Sequence, residues 1–251
     1  MIITSKTNKT VAFINSLKTK KARRESGLFL VEGKKMVREA FAARACVKTV
    51  VIREGVSLDF STGNAEVITV SNDVFNHLSD EVTPQGVLAV LEIKSNTLSP
   101  VGNVSIMLDG LQDPGNIGTI IRTAVAVGVK DIFTVNCCDP YSPKSVRSSM
   151  SGIYHVNIRN GDLASALDAL KGVPLIVADM GGEDVFTFTP PSKYCLLVGN
   201  EGNGVSESAR KSATYTVKIP MSENSESLNA AVSLAVALYE LTQGRNRSLI
   251  E

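Results

Sequence analysis

The chain has 251 residues, 43% of them hydrophobic and 20% charged, with a net charge of +1. That is enough length for one large α/β domain or two modest ones, and enough apolar material to exclude disorder; two domains is the first expectation. The opening MIITSKTNKT lacks an apolar leader core, no apolar run approaches a membrane span, and the four cysteines form no C-x-x-C pair, which disfavours a zinc site and makes a reducing cytoplasm the default compartment.

The small net charge conceals an asymmetry. Residues 1–48 hold twelve Lys/Arg and three Asp/Glu, a net +9, so residues 49–251 carry −8. Lys18, Lys20, Lys21, Arg23 and Arg24 are its densest run, a pattern that attracts a phosphate backbone; a solvated helix end is an equal reading of the run alone.

Along residues 1–93, GLFLVEG (27–33), VKTVVI (47–52), EVITV (66–70) and VLAVLEI (87–93) read as strands between helix-compatible segments, a small α/β unit. KSNTLSPVGN (94–103) has the composition of a linker and places the domain boundary there. From 104 onward, strands are expected at 104–108, 131–135, 174–178, 195–199 and 215–219, each apolar without alternation, as in a parallel sheet covered on both faces. Helices are expected at 117–127, 162–171, 205–212 and 227–243, the last closed by Gly244.

Three polar, glycine-bearing loops follow strands of this second part: LDGLQDPGN, LLVGNEGNG and IPMSENSESLN. All lie at strand carboxyl ends, the edge where open α/β sheets bind ligands. Each alone reads as a turn, with Asn116 and Ser227 as helix caps and Gly115 and Gly202 supplying positive φ; three together favour a site. GNEGNG has the wrong glycine order for a dinucleotide fingerprint, and no phosphate-loop signature occurs, so a dinucleotide enzyme is remote. Arg122, within an apolar helical stretch, either reaches solvent or meets an anion, and Glu201 is the cluster's most obvious carboxylate.

DGLQDPGNIGTIIRTAVAVGV (109–129), LLVGNEGNGVS (196–206) and IPMSENSESLNAAVSLAVALYE (219–240) resemble the three ordered motifs of the SpoU, or TrmH-like, branch of the SPOUT RNA methyltransferases. DPYSPKSVRSSMSGIYHV (139–156) resembles the segment joining motifs one and two, while residues 8–41 and 83–92 resemble the family's N-terminal substrate-binding domain, itself similar to ribosomal protein L30e. The resemblance implies an L30e-like α/β domain over 1–93, a linker over 94–103 and an α/β domain with a deep trefoil knot over 104–251. It also implies a homodimer, and S-adenosylmethionine held by the backbone at Leu197, Gly199, Ile219, Met221 and Leu228. Asn116, Arg122, Glu201, Ser227 and Asn229 match the family's polar active-site positions, and no metal is implied.

The activity implied is methyl transfer to a ribose 2′-hydroxyl of a structured RNA. Ribosomal RNA is preferred, because the appended domain and its basic leading segment suit a large folded substrate. Transfer RNA is the nearest alternative, and an RNA-binding or assembly factor without turnover is the alternative from another class. The third motif departs from the family pattern at Glu223, where glycine is usual, which restricts the backbone and places a carboxylate near a cationic sulfur.

Overall fold

A computed structural model describes residues 2–94, 100–200, 202–225 and 227–243. They fall into two compact units: residues up to Lys94 together with Tyr141–Tyr154 form the first, and the remainder the second.

The first unit runs β1 (Ile2–Ile3), α1 (Lys9–Ser16), α2 (Lys20–Ser26), β2 (Leu28–Glu32), α3 (Lys34–Ala42), β3 (Val47–Arg53), β4 (Glu66–Val70), α4 (Asn72–Leu78) and β5 (Val87–Glu92). The five strands form one sheet in the order β1-β4-β3-β5-β2, with β1, β4 and β3 parallel and β5 antiparallel to both its neighbours. Local chemistry sets the helix ends. Asn8 accepts Thr10 N at 2.9 Å at the start of α1, Thr19 caps α2, and Gly27 ends α2 at φ +68°, a left-handed position that favours glycine. Val11, Ile14 and Leu17 then close with Val74, Phe75 and Leu78 of α4 over the sheet residues Leu30, Val51 and Leu88.

The second unit opens with β6 (Val104–Asp109), α5 (Pro114–Ala126) and β7 (Asp131–Val135). Tyr141–Tyr154 then belongs to the first unit, an excursion that a contiguous division of the chain does not provide; it carries α6 (Pro143–Ser148) and a single 3-10 turn at Gly152–Tyr154. There Tyr141 packs on Phe29 with ring centroids 5.0 Å apart, and the buried Tyr154 hydroxyl donates to Met36 O at 3.1 Å.

β8 (Asn157–Gly161), α7 (Leu163–Ala169), β9 (Leu175–Asp184), β10 (Tyr194–Gly199), α8 (Glu207–Lys211), β11 (Tyr215–Lys218) and α9 (Ala230–Gln243) complete the second unit. Its sheet has the order β11-β9-β10-β6-β7-β8, with every pairing parallel, as the unalternating apolar runs predict. Met107, Phe133, Leu175 and Leu197 pack against α7 and α8 on one face; alternation puts Ile106, Leu108, Leu196 and Val198 on the other, where α9 packs on β10 and α5. β8 has no counterpart among the expected strands because NIRNG is polar. Arg159 is nevertheless half-buried there, its side chain 8% exposed, held to Asp131 at 3.0 Å and lying over the Phe133 ring. β9 runs to Asp184, past the expected end at 178, and β11 rejoins it through an irregularity at Thr216/Val217.

Candidate active site

Because the six strands are parallel, the loops after β6, β10 and β11 meet at one sheet edge. The first loop begins at Asp109, whose buried carboxylate accepts Ser206 N at 2.8 Å and so ties the first loop to the second. Gly110 turns the chain at φ +76°, and its carbonyl accepts Asn200 Nδ2 at 2.9 Å and Gln112 Nε2 at 3.0 Å. Asp113 caps α5 by accepting Gly115 N at 3.1 Å, and Pro114 fits the first turn because no amide is needed there. The helix therefore starts at Pro114 and not at 117, and Asn116 is a half-buried first-turn residue, not its cap.

The second loop is a tight hairpin. Asn200 N donates to Gly204 O and Gly204 N to Asn200 O, both at 2.9 Å, while Asn200 Oδ1 accepts Gly202 N at 2.9 Å and Asn203 N at 3.1 Å. A Cβ on Gly199 would lie 2.3 Å from the Gly204 carbonyl and Val205 N, so the loop folds back across position 199 only because it is glycine. β10 pairs with β6 up to Gly199/Asp109 but with β9 only up to Leu197/Val177, so the β9 side of Val198 and Gly199 has no ladder partner among the described residues. Positive φ falls on Gly110 and Gly204, whereas the sequence pattern suggested Gly115 and Gly202. Glu201 lies outside the described residues.

In the third loop Ile219, Met221 and Leu228 are half-buried apolar side chains, and Ser227 is exposed. The helix cap expected at Ser227 is Asn229, whose Oδ1 accepts Ala231 N at 3.0 Å and Val232 N at 3.3 Å. Asn229 Nδ2 donates to Asn116 Oδ1 at 3.1 Å, joining the first turns of α5 and α9. The Glu223 departure carries no backbone conflict: it sits exposed in a turn closed by Ser225 N donating to Ser222 O at 3.0 Å, and its φ is not positive.

Arg122 is exposed on α5, about 9 Å along the helix axis from Asn116 by helical rise. It forms no hydrogen bond or ion pair among the described residues, so its charge stands unneutralised there.

The basic run does not act as one patch. Of the five expected RNA contacts, Arg23 is 3% exposed and donates to Leu17 O at 2.7 Å, satisfying the end of α1 from inside the first unit. Lys18 donates to Ser79 O at 3.1 Å and pairs with Asp80 at 3.0 Å, which ties α1 to the end of α4. Lys20, Lys21 and Arg24 remain exposed.

Sequence reasoning did not single out Asp109 or Asn200, which hold the first two loops together. A readable signal was an acidic residue ending an otherwise apolar strand directly before glycine. Among the described residues no group of three or more His, Cys, Asp and Glu could hold a metal ion, and no helix is long and apolar enough to cross a membrane.

The parallel α/β fold and its cluster of carboxyl-edge loops are those of a methyltransferase. Residues 103–239 match the model of the SpoU rRNA Methylase family and residues 8–89 that of the MRM3-like substrate binding domain. The chain belongs to the SpoU rRNA methylase family. It is 31% identical over 245 residues to the 23S rRNA (guanosine(2553)-2′-O)-methyltransferase RlmP of Bacillus subtilis, covering 95% of this chain and 98% of that one. The AdoMet-bound rRNA methyltransferase of Sinorhizobium meliloti superposes with a TM-score of 0.87 at 30% identity, covering 98% of each chain. AviRb of Streptomyces viridochromogenes in complex with AdoMet gives 0.87 at 29% identity, covering 96% of this chain and 99% of that one.

Proposed function

We propose that this protein transfers the methyl group of S-adenosylmethionine to a ribose 2′-hydroxyl of ribosomal RNA. The observation that carries the reading is the convergence of the three matched loops at one sheet edge, clasped by the Asn229–Asn116 hydrogen bond.

The edge fits the cofactor in two respects. The unladdered side of Val198 and Gly199 offers backbone hydrogen-bonding groups beyond Leu197, and Ile219, Met221 and Leu228 offer half-exposed apolar surface for an adenine ring. When bound, S-adenosylmethionine supplies an electrophilic methyl group on a positively charged sulfur. The chain's task is then to orient the ribose hydroxyl and to lower the cost of charge developing on its oxygen. The Arg122 guanidinium stabilises the developing alkoxide, while water or a substrate phosphate takes the hydroxyl proton. Asn116 and Asn229 hold the two helix starts in register, and Ser227 and Glu201 complete the polar set.

In this reading residues 1–93 bind the folded RNA and the protein works as a homodimer. The dimer reading is supported by a partly exposed apolar stripe on α9 formed by Val232, Ala235, Val236 and Tyr239 at i, i+3, i+4 and i+7.

The test is incubation with labelled S-adenosylmethionine and unmodified transcripts of 23S rRNA or tRNA, followed by mapping of alkali-resistant linkages. Label at one 2′-O position of 23S rRNA is expected. Label on tRNA alone replaces the substrate, label on a base overturns the reaction, and binding without transfer favours the assembly-factor alternative.

A further inference from the structure

Most of the twelve Lys/Arg of residues 1–48 have partners within the protein. Lys6 pairs with Asp73, Lys18 with Asp80, Lys21 with Glu25, Lys34 and Arg38 with Asp59, Lys35 with Glu39, and Lys48 with Glu92. Arg23 is buried against Leu17 O. Lys9, Lys20, Arg24 and Arg44 form no ion pair among the described residues, and all four are exposed.

Three of these four fall on two consecutive helices. Lys9 shares a face of α1 with Phe13 at i, i+4, and Lys20 shares a face of α2 with Arg24 at the same spacing. Only Leu17, Lys18 and Thr19 separate the helices, and all three are tied down: Leu17 is buried, Lys18 is held at Asp80, and Thr19 Oγ1 donates to Ser16 O at 2.9 Å. Phe13 is 46% exposed although the neighbouring Val11 and Ile14 are fully buried, so its ring lies outside the core the helix builds. An exposed aromatic ring with one unneutralised cation a helical turn away and two more on the next helix has the composition of a stacking platform for unpaired bases, with the cations tracking the backbone.

We infer that the outer faces of α1 and α2 form a single-stranded RNA contact in which an unpaired base stacks on Phe13 and adjacent phosphates meet Lys9, Lys20 and Arg24. This rests on the proposed RNA substrate and assigns where the N-terminal unit grips it. Stacking requires an unstacked base, so the segment bound is a loop or bulge, because paired bases keep their faces covered. Lys18 and Arg23 take no part, since both are committed within the fold.

The test measures binding of an unmodified 23S rRNA transcript by filter retention across a salt series, with cofactor affinity and methyl transfer measured on the same proteins. Phe13→Ala and Phe13→Leu should each weaken binding by about five- to a hundredfold with the salt slope unchanged, whereas Phe13→Trp should bind at least as well as the parent. The combined K9Q/K20Q/R24Q protein should flatten the slope of log affinity against log salt by about two, near 0.7 for each lost phosphate contact. Cofactor affinity should stay at the parental value in every variant. Parental affinity and slope in Phe13→Ala and in the triple variant, with the parent still methylating the transcript, overturn this surface and leave the methyltransferase reading standing. Wild-type-like binding by Phe13→Leu overturns the stacking role. A parent protein that neither binds nor methylates RNA overturns both.

Discussion

The side-chain amide of Asn229 donates to that of Asn116 at 3.1 Å, across 113 residues of chain, while Asn229 Oδ1 caps α9. One residue therefore serves both a helix start and the junction between two loops, and the two roles separate by substitution. Asn229→Ala should lose about 1 kcal/mol of stability through the missing cap. Asn229→Ser restores a capping oxygen but cannot reach Asn116, so it should recover stability and leave methyl transfer depressed by tenfold or more. Thermal unfolding and single-turnover transfer on both variants check this; full activity in Asn229→Ser would show that the bridge is dispensable.

Arg122 is exposed and without an ion-pair partner among the described residues, so removing it costs the fold little. Arg122→Ala should unfold within about 0.5 kcal/mol of the parent, bind S-adenosylmethionine with parental affinity, and transfer methyl groups about a hundred- to a thousandfold more slowly. Calorimetric titration with cofactor beside a transfer assay separates the steps. Undiminished transfer removes Arg122 from the chemistry.

The carboxyl-edge cluster was legible because parallel strands leave a plain signature: apolar runs, each followed by a polar, glycine-bearing loop. What stayed hidden were choices between equivalent residues. Ser227 and Asn229 are both good caps, and only the packing of α9 on α5 selects Asn229. Arg23 and Arg24 are indistinguishable in sequence, yet one turns into the fold and the other outward, according to which side of α2 faces Leu17. β8 was hidden because its polar residues are compensated by a buried ion pair from β7, a partner 28 residues away.

Gly199 has no room for a side chain against the Gly204–Val205 backbone. Gly199→Ala must push the second loop away from β10, and backbone cannot yield as a flexible side chain can. A loss of about 1–3 kcal/mol in stability and at least tenfold in cofactor affinity is expected, read by unfolding and by cofactor titration. Gly202→Ala, whose nearest neighbour at 3.6 Å is Asn200 Oδ1, serves as the control and should leave both near parental values.

Burial pushes the Cys137 thiol up to about 11 from 9.0, and its Sγ donates to Leu108 O and Val135 O at 3.3 Å each. The folded state therefore holds the proton more tightly than the unfolded chain does. Its contribution is fully present below pH 9 and is lost as pH rises toward 11, by roughly 1 kcal/mol at pH 10. Cys137→Ala lacks this term, so the stability difference between parent and variant should shrink by that amount between pH 8 and pH 10 in urea titrations. A constant difference would mean that Cys137 is reached by solvent. Cys195, pushed up to about 12 by complete burial, should resist thiol reagents at pH 8 while the exposed Cys46 reacts at once.

Arg23 and Arg24 provide the sharpest contrast between a structural and a surface cation. Arg23 lies almost fully inside the first unit with its guanidinium on Leu17 O, so Arg23→Gln leaves that carbonyl and a buried void poorly satisfied. The cost should be about 2–4 kcal/mol, with RNA affinity falling only as the folded fraction falls. Arg24→Gln should leave stability within about 0.5 kcal/mol and lower RNA affinity directly, with a shallower salt dependence. Urea unfolding paired with RNA binding well below each midpoint distinguishes them. If folded Arg23→Gln lost affinity as Arg24→Gln does, the buried arginine would have to reach the RNA, which its place beneath α2 opposes.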